Sequence, residues 1–300
     1  LMIRDALRLA APVLVQDKSQ VAGQLIGRLR SLEDSPSIQT MLDAITARSD
    51  QQVAWLYPLT ASLTPPGRQL LQTVESASDV PVSVALTAYG RYAVTASDLN
   101  VKVWDMEYGE LITTLEGHTD RVWAVAITAD GRKAVSVSAD KTLRVWDVER
   151  RCELVVLEGH AAGVWSVALT TDGRRAISAS DDMTLKVWDI EQGQLITTLE
   201  GHDDRVRAVA LSSDGQRAVS GSDDGRVSVW DVEQNRLIAS LEGHHDWVRA
   251  VAITPDGRRV ATGSVDRVLH VWDVEQREVI ARLEGHSKEI LAVAMTADGR

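Results

Sequence analysis

Apolar and polar positions alternate over short runs through most of this chain. VWAVAIT at 122–128, AVSVS at 134–138, TLRVW at 142–146 and ELVVLE at 153–158 each have the period-two pattern of a half-buried strand. Between the first two runs stands Asp130-Gly131, a hairpin signal because glycine accepts a positive φ without steric cost. Four short antiparallel strands are therefore predicted over about 120–158. Small residues such as Ala124, Ala126, Ser136 and Ser138 fit strands packed face to face.

This unit recurs. Trp-Asp pairs stand at Trp104-Asp105, Trp146-Asp147, Trp188-Asp189, Trp230-Asp231 and Trp272-Asp273, each 42 residues after the last. Gly-His pairs keep the same step, at His118, His160, His202, His244 and His286. Full units are predicted at about 81–116, 120–158, 162–200, 204–242 and 246–284, with a sixth beginning at Glu289 and stopping after its first strand. The first is degenerate: Ser76-Ala77 replaces Gly-His, Tyr89-Gly90 replaces Asp-Gly, and it is one residue shorter before Val101.

A period of about 40–45 residues with Gly-His at the start and Trp-Asp near the end is the pattern of propeller blades. In these residues, over about 70–300, the chain resembles the WD40-repeat family. The resemblance implies an all-β propeller of five full blades plus the start of a sixth, an incomplete ring, preceded by a small α-helical segment. It also implies a scaffold that binds protein or peptide partners without catalysis. Leu70–Glu75 aligns with Leu111–Glu116 as a diverged outer strand, which in that family commonly closes the ring.

Residues 1–50 read differently, with Ile3, Leu7, Ala10, Val13 and Leu14 at helical spacing, then Val21, Leu25, Ile26 and Leu29. A third helix is signposted by Ser35 as N-cap and Pro36 in its first turn, followed by Ile38, Met41, Leu42 and Ile45. Residues 51–69 lose the periodicity and collect Pro58, Pro65, Pro66 and Gly67, an irregular linker. IRDALRLAAPVLVQDKSQVAGQLIGRLR followed by WLYPLTASLTPPG resembles the segment preceding WD40 sensor domains in bacterial signalling ATPases of the apoptotic-ATPase (STAND) type. That resemblance places an NTPase domain upstream, since no GxxxxGK[ST] loop occurs in these residues. The first residue, Leu1, and the last, Arg300 inside a repeat, fit a piece of a longer chain.

Charge sharpens this picture. The net charge is −11, and residues 1–76 carry seven basic and seven acidic groups, so the excess of acid lies in the repeats. An acidic surface disfavours a phosphate-backbone partner, so no nucleic acid is expected. Cys152 is the only cysteine, which excludes an internal disulfide and fits a reducing compartment. The longest apolar run, Leu9–Val15, is too short to span a bilayer. A cytoplasmic location without membrane contact is the expectation.

Each of the later repeats offers His, Ser, Asp and Trp at fixed offsets. These are His118, Asp140 and Trp146 with Ser136 or Ser138, then His160, Asp182 and Trp188 with Ser178 or Ser180, then His202, Asp224 and Trp230, and His244, Asp266 and Trp272. In the family such residues form a buried hydrogen-bonded chain. A hydrolytic triad is needed once, whereas this set occurs four times, so no catalytic residue is expected. Histidines 42 residues apart fall on different blades and cannot converge on one ion, so neither metal nor cofactor is expected. His245 and His270 lie outside the pattern and read as solvated surface groups.

Recognition is expected where the repeats differ. Counting from each His, position +4 is Val or Ile and +7 is Val. Positions +3 and +5 vary: Arg121 and Trp123, Gly163 and Trp165, Arg205 and Arg207, Trp247 and Arg249, Glu289 and Leu291. The residue before the turn Asp varies too, as Ala139, Asp181, Asp223 and Val265. By resemblance these positions rim the top face of a propeller, where Trp and Arg would act as binding hot spots. The alternative is that Trp residues plug the axis while Arg residues pair with Asp181 and Asp223.

Overall fold

A computed structural model describes residues 81–87 and 90–296. The helical segment, the linker and Leu70–Glu75 lie outside the described residues. Among these residues twenty strands form five four-stranded antiparallel sheets, each paired in chain order. They are β1 (Ser83–Leu86) to β4 (Glu110–Leu115), β5 (Val122–Ile127) to β8 (Cys152–Leu157), and β9 (Val164–Leu169) to β12 (Gln194–Leu199). The last two are β13 (Val206–Leu211) to β16 (Arg236–Leu241) and β17 (Val248–Ile253) to β20 (Glu278–Leu283). Residues 285–296, which include the predicted start of a sixth blade at Glu289, form no strand. Within them Ile290 N–H donates to the Ser264 carbonyl.

The first strands of successive blades, β1, β5, β9, β13 and β17, meet one another. Apolar clusters fill each seam between blades. Val135, Val137, Leu143, Val145 and Leu157 of blade two, for example, close over Val164, Ala176, Trp188 and Ile190 of blade three. The four tryptophans of the later Trp-Asp pairs are each 1% exposed, and burying each fully contributes several kcal/mol at about 25 cal/mol per Å². They occupy matching places, which the strict 42-residue period requires.

In blades two to five the turns between first and second strands are Thr/Ser-x-Asp-Gly loops. Thr128 Oγ1 donates to Asp130 Oδ1 at 2.6 Å, and Gly131 takes φ +73°. At the equivalent Gly173, φ +66°, a Cβ would meet Thr128 of the preceding blade at 2.8 Å. Glycine is thus fixed there both by the turn and by the seam. The Asp of each Trp-Asp pair caps the next turn, as Asp189 Oδ1 accepts from the N–H groups of Glu191 and Gln192.

Candidate functional site

Two sets of side chains recur at the end of the blades opposite the Asp-Gly turns, where the second-to-third-strand turns and the loops between blades lie. The first is a relay buried inside each blade. In blade three Trp188 Nε1 donates to Ser178 Oγ at 2.8 Å, Ser178 lies 2.7 Å from His160 Nε2, and His160 Nδ1 lies 2.7 Å from Asp182 Oδ2. Asp182 is held well below the usual carboxylate range. Burial pushes its carboxyl up, but hydrogen bonds from His160, Thr184 and the Ala161 N–H outweigh that. An ionised Asp182 fixes the tautomer: Nδ1–H donates to the carboxylate, and Nε2 accepts from the serine hydroxyl.

The relay repeats through Trp146, Ser136, His118 and Asp140 and through Trp230, Ser220, His202 and Asp224. Blade five replaces the serine by Thr262, between Trp272 and His244, which bonds Asp266. Blade one keeps only the bond from Trp104 Nε1 to Thr95 Oγ1. The alternative serines, Ser138 and Ser180, serve the turn instead, donating to the Asp120 and Gly163 carbonyls. Every hydroxyl in the relay is buried and engaged, so none is poised as a nucleophile.

The second set is carried by a β-bulge. The register between first and second strands slips once in blades two to five, and the extra residue is Trp123, Trp165, Arg207 or Arg249. An unpaired extra residue kinks its strand and re-aims its side chain. The first three of these side chains stack across the blades. Arg121 lies over the Trp123 ring at 5.1 Å, Trp123 stacks on Trp165 at 4.2 Å and 21°, and Arg207 covers Trp165 at 4.4 Å.

Beyond that pillar, Arg207 Nε and Nη2 donate to Asp223 at 2.7–3.0 Å. Its Nη1 approaches Asp181 at 3.0 Å, close enough for charge pairing but without hydrogen-bond alignment. Arg207 and Asp223 are each 9% exposed, so this pair belongs to the framework. Arg121 and Arg205 remain exposed with no ion pair among the described residues, and Trp247 is 43% exposed beneath Arg249 at 4.8 Å. Trp165 Nε1 and Arg249 Nε are buried without a partner.

A further sequence expectation is overturned. His270 is 3% exposed, not a solvated surface group, while His245 is exposed. His270 stacks on His244 at 4.2 Å and abuts Trp272. Burial, with the neighbouring His244, pushes its imidazole down to about 4. Its strand position holds Arg144 and Lys186 in other blades, whose longer chains reach Glu153 and Thr198.

At the opposite end, a groove of about 570 Å³ is lined by the turns of blades three and four, among them Asp172, Arg174, Asp189 and Asp214. Its charges are mixed and none of its side-chain polar atoms is both buried and unpartnered. No group of three or more potential metal ligands occurs among the described residues. No helix there is long and apolar enough to cross a membrane.

The repeats match the family described as WD domain, G-beta repeat, at residues 68–105, 109–147, 151–189, 193–231 and 235–273. Among curated proteins the chain is similar to the NACHT domain- and WD repeat-containing protein 1 of mouse, 29% identical over 154 residues covering 47% of this chain. The human protein of the same name is 30% identical over 155 residues. An uncharacterised WD repeat-containing protein of Synechocystis is 43% identical over 61 residues, 20% of this chain and 18% of its own. The match spans about 10% of the length of the mouse and human relatives. With five repeats in register over more than half its length, and a matching relay in four of them, the chain belongs to the WD40 repeat family.

Proposed function

We propose that this chain is a non-catalytic protein-binding module of a signalling protein, and that its partner docks on the rim formed by the bulge residues and their neighbours. The carrying observation is that four consecutive blades bring side chains that differ from repeat to repeat to one end, at and beside a recurring bulge. Arg121, Arg205 and Trp247 stand there with exposed, unspent contact surface. Arginine and tryptophan suit that role because they combine large contact area with directional donors. Trp123, Trp165, Arg207, Asp181 and Asp223 hold the rim in shape.

The test is site-specific photo-cross-linking. Probes at Arg205 and Trp247 should capture a partner that probes at Thr171 and Arg174, at the opposite end, do not. The combined variant Arg121→Ala, Arg205→Ala, Trp247→Ala should keep its melting temperature and lose the partner. Capture only at the opposite end would defeat the reading.

A second reading has the propeller regulate an NTPase domain in the same protein. The NACHT domain in the names of the mouse and human relatives favours it. The two readings share the rim and differ in whether its occupant is another protein or a domain of the same one.

A further inference from the structure

Blades four and five differ at one point of the rim. In blade four the bulge residue Arg207 meets an acid from its own second-to-third-strand turn, Asp223, through three hydrogen-bond contacts. Blade five repeats the bulge and the arginine, as Arg249, but the turn residue there is Val265. The homologous acid of the preceding blade is already taken, since both oxygens of Asp223 accept from Arg207. The Arg249 guanidinium lies over Trp247, its Nε is buried without an acceptor, and no ion pair holds it among the described residues. A buried charged donor left without an acceptor is costly, and native folds keep few of them.

We infer that Arg249 is a carboxylate anchor for an acidic segment of a partner protein, whose Asp or Glu side chain pairs with the guanidinium in blade five as Asp223 does in blade four. This rests on the rim being the docking face. The repeat itself supplies the template: guanidinium and carboxylate are matched in blade four, and blade five presents the same guanidinium unmatched. Arginine's planar fork suits a two-oxygen acceptor, and Trp247 beside it offers an apolar wall to the segment. The chain carries net charge −11, with Asp246 and Asp266 close by in sequence, so a singly charged carboxylate meets less repulsion than a dianionic phosphate. The same net charge opposes indiscriminate binding of acidic peptides, which makes a positive result informative.

Fluorescence anisotropy with a fluorescein-labelled hexaglutamate peptide and the 300-residue chain tests this at low ionic strength. The chain should bind hexaglutamate in preference to hexaglutamine. Arg249→Gln should weaken that binding about tenfold or more, as expected for losing one charge-assisted contact. Val265→Asp supplies the acid from within the chain, so it should weaken binding similarly while raising the melting temperature. Arg132→Gln, the same charge change at the opposite end, should leave binding unaltered.

Failure to bind hexaglutamate, equal binding of hexaglutamine, or tighter binding of a phosphoserine hexapeptide overturns the assignment. So does undiminished binding in Arg249→Gln, which keeps the test decisive if Val265→Asp does not fold. Loss of the anchor with partner cross-links from Arg205 and Trp247 intact removes this inference and leaves the rim reading. Cross-links confined to the opposite end remove both.

Discussion

Arg207 shows how one rim side chain is tied into the fold. It covers Trp165, hydrogen-bonds the buried Asp223 and approaches the half-buried Asp181. Replacing it strands a buried carboxylate, so Arg207→Gln should cost about 3 kcal/mol in urea unfolding, and Arg207→Leu with Asp223→Leu should recover most of that. The histidines act by protonation instead. His118, His160 and His244 are lowered by burial, against the raising effect of their Asp partners, and His270 is lowered by burial and His244. A lowered folded value means the unfolded chain takes up the proton first, so stability is full above about pH 6.5 and falls as pH drops towards the folded values. For His270 that window runs from 6.5 to about 4. Besides His244, its charged surroundings are Asp266, Arg282 and His245. The relay carboxylates are depressed as well, so their share is lost only below their unfolded value near 3.8. Melting temperature should therefore be level from pH 7 to 9 and decline below about 6.5. His270→Ser, which copies Ser228 of blade four, should make the first decline shallower; an unchanged slope would exclude His270 as its source.

At the scale of the blade, the relay and the bulge do different work, and they were unequally legible in the sequence. The relay joins a loop to two strands through groups that are all satisfied, so removing its middle orphans two neighbours at once. Ser178→Ala leaves Trp188 Nε1 and His160 Nε2 unpartnered and should cost about 2 kcal/mol or more, whereas Thr95→Val in blade one orphans only Trp104 Nε1 and should cost about 1 kcal/mol. Equal losses in urea titrations would count against a cooperative relay. Strands, Asp-Gly turns and the relay's members could be read in advance because each depends on local spacing and repeats every 42 residues. The bulges could not. An extra residue is defined only by the register of the partner strand, so Trp123 and Arg207 appear in the sequence simply as variable positions. His270 departs from the sequence expectation for a related reason: an imidazole is too short to follow Arg144 or Lys186 out of the seam, and it stays under Gly243, where a Cβ would lie 3.6 Å from the ring. The turn residues Lys141, Met183 and Arg267, with φ of 68–73°, were equally hidden, because only blade four marks that place with glycine, Gly225.

Across the whole array, each seam joins two different faces, and one copy of each is left outside a seam. The face carrying Leu115, Leu157, Leu199 and Leu241 closes over the next blade, leaving these residues 1–3% exposed, but their counterpart in blade five, Leu283, is 53% exposed. The opposing face carries Val125, 6% exposed, while its counterpart in blade one, Val84, is 63% exposed and Leu86 is 58% exposed. Because these faces are complementary rather than identical, pairing blade five of one copy with blade one of another is heterologous and does not close on itself as a two-fold dimer would. The exposed apolar area favours such contact, and the net charge of −11 opposes it. Salt screens the repulsion and leaves apolar burial intact, so sedimentation velocity should show a concentration-dependent ladder of species that grows from 50 to 500 mM salt. Val84→Glu with Leu283→Lys places charges on both faces and should return the chain to a monomer at either salt concentration. A wild-type chain that sediments as one monomeric species throughout would show that these faces are already occupied within a single copy.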